Sequence, residues 1–364
     1  MRDRYGEYRR VAQDLGADAV ALVPGANFTR LFGQDFHGNE RPLVVVIPTR
    51  GAPAAIVPNL ELRSFDAIGF EGEVFDWRDQ DGYAAAFAAL AAHLPVSTLA
   101  VEGQVMRVFV HHALMRAYGN PDIIDAEREI SRLRVRKTGE EIARLEAAIA
   151  VSERALSRVV DEVRAGMTEK RVEGILTQAL FAEGAEEHAF GPIVAAGDNS
   201  ALPHAHARDD YRICEGDALL LDFGARRGGF CADITRTVFV GHADDEQREV
   251  YDTVLRANRR GNQVAQPGAT AHDVDDAVTA VLEASPFADR IRHKTGHGLG
   301  RQVHEEPYIM RGNDQVLEAG MVFTNEPGLY RIGGFGVRIE DDVLVTADGC
   351  RSLTTFPKEL MVVG

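Results

Sequence analysis

The stretch ALLLDFGARRGGFCADITRTVFV, from Ala218 to Val240, decides how this chain is read. An apolar run, Leu219 to Leu221, leads into Asp222. A turn with Arg227, Gly228 and Gly229 follows, and the next β-rich run carries Asp233. The pattern predicts a hairpin. A turn between Arg227 and Gly228 would set Asp222 directly opposite Asp233. Like charges opposed in a sheet repel. Asp222, behind three leucines, is expected to be at least partly buried, and a buried carboxylate without compensation is costly or keeps its proton. One solution is a hairpin with one exposed aspartate and one satisfied elsewhere. The other is a cation between them.

Two more acids stand in strand-like contexts. MVFTNEPGLY places Glu326 at the end of an apolar strand, before a Pro-Gly turn. GFGVRIEDDVLVT places Glu340 inside an apolar run, with Arg338 two positions earlier on the same face and Asp341 facing away. In HKTGHGLGRQVHEEP, His293 to Pro307, His297 and His304 lie among Gly296, Gly298 and Gly300. That segment is too Gly-rich for a regular helix. No apolar strand leads into its glycines, so it is a weak dinucleotide signal. Asp222, Asp233, Glu326 and Glu340 bring four negative charges and a neutral His297 none, a set that two divalent cations balance. Two metals bridged by carboxylates can activate a shared water and stabilise an oxyanion.

The chain has 364 residues, about right for two domains. Its formal net charge of −16 argues against nucleic acid, which needs clustered Lys and Arg. The segment MRDRYGEYRR has no apolar leader core and no apolar run is long enough to span a bilayer, so no membrane partner is expected and the cytoplasm is the expected location. Cys214, Cys231 and Cys350 form no Cys-x-x-Cys and read as reduced thiols.

The first third alternates strand and helix signals. RPLVVVIP (Arg41 to Pro48), PAAIVP (Pro53 to Pro58) and VSTLAVEG read as strands; YAAAFAALAAHL and HHALMRAYG read as helices. Together they predict a small α/β domain over 1–130. The second domain, 131–364, opens on a charged helix with a Thr138–Glu141 capping box. Gly166 ends that helix, Thr168 starts another, and Thr270 with Asp273 caps a later one. Strands are expected over roughly 189–196, 217–224, 230–240, 320–326 and 335–346. No tandem short-period repeat is visible.

LLLDFGARRGGFCADITRT, GHGLGRQVHEEP, VFTNEPGLY and GVRIEDD, in that order, resemble the successive motifs of one metallopeptidase family. It contains Xaa-Pro dipeptidase (prolidase), Xaa-Pro aminopeptidase and methionine aminopeptidase. The resemblance covers roughly residues 135 to 364. It implies a pita-bread α+β catalytic domain behind a small N-terminal α/β domain. It also implies that Asp222, Asp233, His297, Glu326 and Glu340 hold two divalent metal ions, with Glu340 bridging both. Mn²⁺ is the expected metal and Zn²⁺ or Co²⁺ the alternatives. His204, in NSALPHAHA, and His304 match catalytic histidines outside the metal shell; His206 and His293 match nothing. The implied reaction is attack by a metal-bridging hydroxide on the scissile carbonyl, with Glu326 carrying a proton to the leaving nitrogen.

Methionine aminopeptidases usually lack a first domain of this size, and creatinase-type and non-catalytic binding relatives lose ligands that are kept here. The leading expectation is an Xaa-Pro dipeptidase acting on short proline-containing peptides, with Xaa-Pro aminopeptidase as the alternative. Many prolidases carry an Arg directly after the His-Glu-x-Pro motif to hold the dipeptide carboxylate; here that position is Tyr308. Arg338 is common to both subfamilies. The segment GQDFHGNERP offers a substitute: Arg41 to clamp the carboxylate, and Asp35 or Glu40 to meet the ammonium, within the chain or across a homodimer interface.

Overall fold

A computed structural model describes residues 3–364. The chain forms two compact units that divide after Arg134, where the sequence reading sets the division after residue 130. The first unit is built on a six-stranded sheet in the order Glu73–Trp77, Ala54–Pro58, Val44–Pro48, Ala19–Leu22, Thr98–Val101, Asp122–Asp125. Period-two alternation splits its strands between two cores. Val20, Leu22, Val45 and Ile47 pack with Tyr8, Phe28 and Phe65 on one face. Ala19, Ala21, Val44 and Val46 pack with Phe87, Leu90 and Leu114 on the other. Covered on both faces, these strands read as unbroken apolar runs.

The second unit, Val135–Gly364, contains two helix pairs of similar build. Gly139–Glu162 precedes Glu169–Ala182, and Asp245–Val264 precedes Ala271–Glu283. The first helix of each pair opens on a capping box, Thr138 with Glu141 and Asp244 with Gln247. The second opens on a threonine, Thr168 or Thr270, whose hydroxyl accepts the backbone N–H of the third helical residue. Both threonines also form antiparallel bridges, to Arg212 and Val316. This duplication is one of structure, carried by caps and packing, and leaves no short-period repeat to read.

Each pair packs on a sheet. The first covers Leu219, Leu221 and Val238 with Val151, Leu156 and Leu176. Its sheet runs Val362–Val363, Ile234–Val240, Ala218–Phe223, Ile193–Ala196. The second sheet runs Glu305–Ile309, Gly296–Gly298, Val322–Asn325, Asp341–Val345, Cys350–Ser352. Ala271 and Val274 of the second pair pack on its Phe323 and Val343. Among the described residues no helix is long and apolar enough to cross a membrane, and the three cysteines are unpaired.

The hairpin register differs from the sequence expectation. Asp222 pairs with Thr235, not with Asp233. The last pair before the turn is Arg227 with Phe230, which leaves Gly228 and Gly229 as the two turn residues. Both have positive φ, 58° and 76°, as a two-residue hairpin turn of type I′ requires. The turn is therefore set by backbone freedom at the glycines. Asp233, two residues before Thr235, shares its strand face and lies diagonal to Asp222. The carboxylates still converge, because the diagonal step is short on a twisted hairpin.

Gly224 lies where these strands cross most tightly. A Cβ there would stand 1.7 Å from the carbonyl oxygen of Ala232, backbone that cannot rotate away. Gly224→Ala is expected to spread the strands under Asp222 and Asp233 and to cost about 3 kcal/mol or more. Thermal denaturation and metal analysis of the variant check this; wild-type melting with unchanged metal content would contradict it.

Candidate active site

The second unit encloses a cavity of about 570 Å³. Asp222, Asp233, His297, Glu326, Glu340, His204, His304 and Arg338 all line it. Three overlapping groups have ligand atoms within 4.8 Å of one another: Asp222 with Asp233 and Glu340, His297 with Glu326 and Glu340, and Asp233 with His297 and His304.

Each group is held by a partner far away in the chain. Thr235, opposite Asp222, donates its hydroxyl to Glu340 Oε2 at 2.5 Å and accepts from Arg338 Nε at 3.0 Å. Arg338 Nη2 pairs with Asp222 Oδ2, and its Nη1 donates to the Tyr330 hydroxyl at 2.7 Å. The backbone N–H of Asp233 donates to Asp342 Oδ2 at 3.2 Å. Glu340 is fixed from behind by the fully buried Arg236. That guanidinium donates to the Glu340 carbonyl at 2.5 Å and to Asp341 Oδ1 at 2.8 Å. Lys358 Nζ reaches the other Asp341 oxygen at 2.5 Å. The outward-facing Asp341 of the sequence reading is thus a buried anchor, compensated by two cations.

His297 Nδ1–H donates to the carbonyl of Gly298 at 3.2 Å, so Nε2 keeps its lone pair. Nε2 points at Glu326 Oε1, 3.3 Å away, and Asp233 Oδ2, 3.7 Å away. Burial, then the neighbouring His304, pushes the His297 pKa down to about 3. A neutral imidazole lone pair facing two carboxylates is a ligand set, not an ion pair. The His304 ring lies 4.0 Å from that of His297, centroid to centroid, and Glu305 beside it is pinned by Lys137 Nζ at 2.5 Å.

His204 is carried on a loop held by one residue that the sequence reading passes over. Glu169 is fully buried. It accepts the N–H of Ala196 at 2.8 Å, the amide of Asn199 at 2.9 Å and the N–H of Arg208 at 2.7 Å. The Arg208 guanidinium also reaches it, from Nη2 at 2.9 Å and from Nε at 3.1 Å. His206 is exposed and outside the cavity lining; its carbonyl accepts a bond from Asn199 at 3.0 Å.

His293, which matched nothing in the sequence, also lines the cavity. Its ring nitrogens are 2.8 Å from the Lys294 carbonyl and 2.8 Å from the Tyr330 hydroxyl. The first fixes Nδ1 as the donor, so Nε2 accepts from Tyr330, which in turn receives Arg338. Burial pushes its pKa down to about 4, and it is a neutral support for Arg338. No sequence periodicity signals it, because the loop places it through Tyr330.

The first-unit candidates are engaged elsewhere. Arg41 is clamped by Asp79, at 2.9 and 2.8 Å, and pairs with Glu40. Asp35 Oδ1 accepts the N–H of Phe36 at 2.9 Å. Neither Arg41 nor Asp35 is among the cavity-lining residues. Within its own unit the Arg41 guanidinium is paired with Asp79 and Glu40 in an exposed setting.

A model of metallopeptidase family M24 matches residues 143–347, and one of the Creatinase/Prolidase N-terminal domain matches residues 4–136. The chain belongs to metallopeptidase family M24. Its catalytic fold is the pita-bread fold seen in solved prolidases. It is 38% identical over 354 residues to a probable dipeptidase, PepE, of Mycobacterium tuberculosis, covering 96% of this chain and 93% of the relative. A recombinant prolidase from Thermococcus sibiricus superposes with a TM-score of 0.94 at 32% identity, covering 100% and 99% of the two chains. An X-Pro aminopeptidase from Thermotoga maritima superposes with a TM-score of 0.84 at 33% identity, covering 97% and 98%.

An M24 metallopeptidase requires divalent metal, and the residues here fit one. Asp222 Oδ1 is buried and, among the described residues, has no hydrogen-bond partner. The set brings four carboxylates against one guanidinium, Arg338, and its remaining donor is an imidazole lone pair. Without metal the cluster responds by binding protons. Burial first, then the neighbouring carboxylates, holds Asp233 and Glu340 well above the usual carboxylate range. Glu326 is pushed up to about 7, burial again leading.

Two outcomes follow for this M24 site. Raised carboxylate pKa values mean that the metal-free fold holds protons the unfolded chain has shed by about pH 5. The stability that the Glu326 proton contributes is therefore lost as pH rises through about 7, and metal competes with the protons of the cluster. His297, neutral throughout that window, does not contribute to the competition. The Mn²⁺-induced rise in melting temperature is expected to be larger at about pH 7.5 than at about pH 5.5; a pH-independent rise would contradict this. Glu169→Ala, which strands Arg208 and frees the His204 loop, is expected to cost about 3 kcal/mol and to lower turnover with metal content unchanged. Elemental analysis beside steady-state kinetics separates the two effects.

Proposed function

We propose that this M24 metallopeptidase is a dinuclear Xaa-Pro dipeptidase, cleaving the bond before proline in short peptides. The observation that carries the reading is the convergence of Asp222, Asp233, His297, Glu326 and Glu340 on one cavity that His204 and His304 also line. The likeness to the mycobacterial dipeptidase and to the Thermococcus prolidase supports the substrate class. Oxygen-rich ligation with one imidazole favours Mn²⁺ over softer-site metals. Three unpaired cysteines support a reducing, cytoplasmic setting.

Asp222, Asp233, His297, Glu326 and Glu340 would hold the metal pair, and Glu340 belongs to two of the three groups of converging ligand atoms. When bound, the metals supply Lewis acidity for the scissile carbonyl and acidify a water. Glu326, whose Oε1 accepts from Thr324 Oγ1 at 3.2 Å, would take the proton of the attacking water. It then delivers the proton to the proline nitrogen, which must be protonated as it leaves. His204 and His304, which line the same cavity, would donate to the oxygen that gains charge. Arg338 holds Asp222 in its ligating orientation.

A second reading, Xaa-Pro aminopeptidase, is favoured by Tyr308, which carries no charge for a dipeptide carboxylate, and by the likeness to the Thermotoga enzyme. The non-catalytic reading is disfavoured by the complete donor set. Turnover of Ala-Pro against Ala-Pro-Ala, both with Mn²⁺, decides between the two peptidases. Preference for the tripeptide would replace the first reading by the second, and activity in verified metal-free protein would remove both. Glu326→Gln and His304→Ala are each expected to lower turnover by about a hundredfold or more. His304→Ala is expected to keep its metal; loss of metal with the fold intact would show His304 to be a ligand.

A further inference from the structure

The cavity lining holds three strong cations, Arg292, Lys294 and Arg338. Two are committed. Arg338 is buried and bound to Asp222, Tyr330 and Thr235. Arg292 Nη1 donates to the carbonyls of Asp289, at 2.5 Å, and Ile291, at 3.0 Å. Lys294 is different. It is exposed, and among the described residues its ammonium makes no hydrogen bond or ion pair. In a chain with 56 acidic residues against 40 basic ones, an unpaired lysine beside a carboxylate cluster calls for a reason.

Its surroundings supply one. Lys294 Nζ stands 5.7 Å from the centroid of the Tyr308 ring, a contact that steers an ammonium without neutralising it. Tyr308 lies on Glu305–Ile309, which pairs antiparallel with Gly296–Gly298, the strand carrying His297. The lysine therefore rises beside the metal-ligand strand. It lines the same cavity as Glu326 and His304. A carboxylate on the substrate finds no partner among the metal-ligand acids or in Arg338, which is bound to Asp222, and a cation without a counter-charge on this wall can meet it.

We propose that Lys294, steered by Tyr308, receives the free α-carboxylate of the peptide and so makes the site selective for substrates that end at the residue after the scissile bond. The inference rests on the peptidase reading above. It moves the carboxylate contact from Arg41, already neutralised by Asp79, to a side chain on the cavity wall. A lysine is a point charge on a flexible stem, so it tolerates variation in carboxylate position better than a bidentate guanidinium would.

The test uses full-length, Mn²⁺-loaded protein with Ala-Pro and Ala-Pro-amide, which differ only in the carboxylate. Wild type is compared with Lys294→Ala, Lys294→Arg and Arg292→Ala. Lys294 is exposed, so its variants are expected to fold, and melting curves check that. Lys294→Ala is expected to raise the KM for Ala-Pro about tenfold or more, with a much smaller change for the amide. Lys294→Arg restores most of the discrimination, and Arg292→Ala lowers it less than Lys294→Ala does. A KM for Ala-Pro within about twofold of wild type in Lys294→Ala overturns the inference while the peptidase reading stands. An equal rise for dipeptide and amide also overturns it, because Lys294 would then only shape the cavity. An equal effect of Arg292→Ala would replace the contact by a diffuse field of the rim. If wild type cleaves neither compound, the peptidase reading fails and the inference with it.

Discussion

Four carboxylates that repel one another are gathered in a buried space, and much of the second unit is organised to hold them there. Asp233, Glu326 and Glu340 each meet burial as the main force against ionisation and their neighbours as the next. Among the described residues one guanidinium, Arg338, reaches into the cluster to offset them. A fold that stored this charge without a further cation would spend stability or carry protons. That constraint explains why a chain rich in surface acids also has acids at its centre.

The supports are layered by distance from the cavity. Thr235 ties Glu340 to Arg338, and Arg338 ties Thr235 to Asp222 and Tyr330. Behind them, Arg236 and Lys358 neutralise Asp341 and hold the strand that follows Glu340. On another side, Glu169 and Arg208 clamp the His204 loop. Arg236, Asp341 and Glu169 in the outer ring are each paired with an opposite charge, whereas Oδ1 of Asp222 at the centre and Oδ1 of Asp342 behind Asp233 are left without a hydrogen-bond partner among the described residues.

The same logic separates the histidines. His293, half-buried, and His297, buried, are both neutral, yet one nitrogen of His293 accepts from Tyr330 while Nε2 of His297 faces acids. His304, only partly desolvated, lies against His297 at the cavity edge. Position relative to Arg338 and the acids, not residue type, distinguishes a support from a ligand candidate. Lys294 carries its charge at this wall against a ring, whereas Arg292 is tied to two carbonyls of its own loop and Arg338 to Asp222.

The acids at strand ends, the glycine-framed histidines and the helix caps are legible in the chain itself, because each rests on local chemistry. A Thr-x-x-Glu cap closes within one turn, and an acid ending an apolar strand stands out against its neighbours. The pairing of Asp222 was misjudged by two residues, since two turns could be drawn through Arg227, Gly228 and Gly229 and only the backbone chose between them. Arg41 looked available because Asp79, its partner, lies 38 residues on. The contacts that aim the site join residues still further apart: Thr235 to Glu340 over 105 positions and Arg338 to Asp222 over 116. The sequence by itself determined which groups this protein brings to its chemistry. Which of them meet, which are neutralised and which stay available was decided only when sheet register and packing brought distant strands together, since no local pattern encodes a contact that folding must first create.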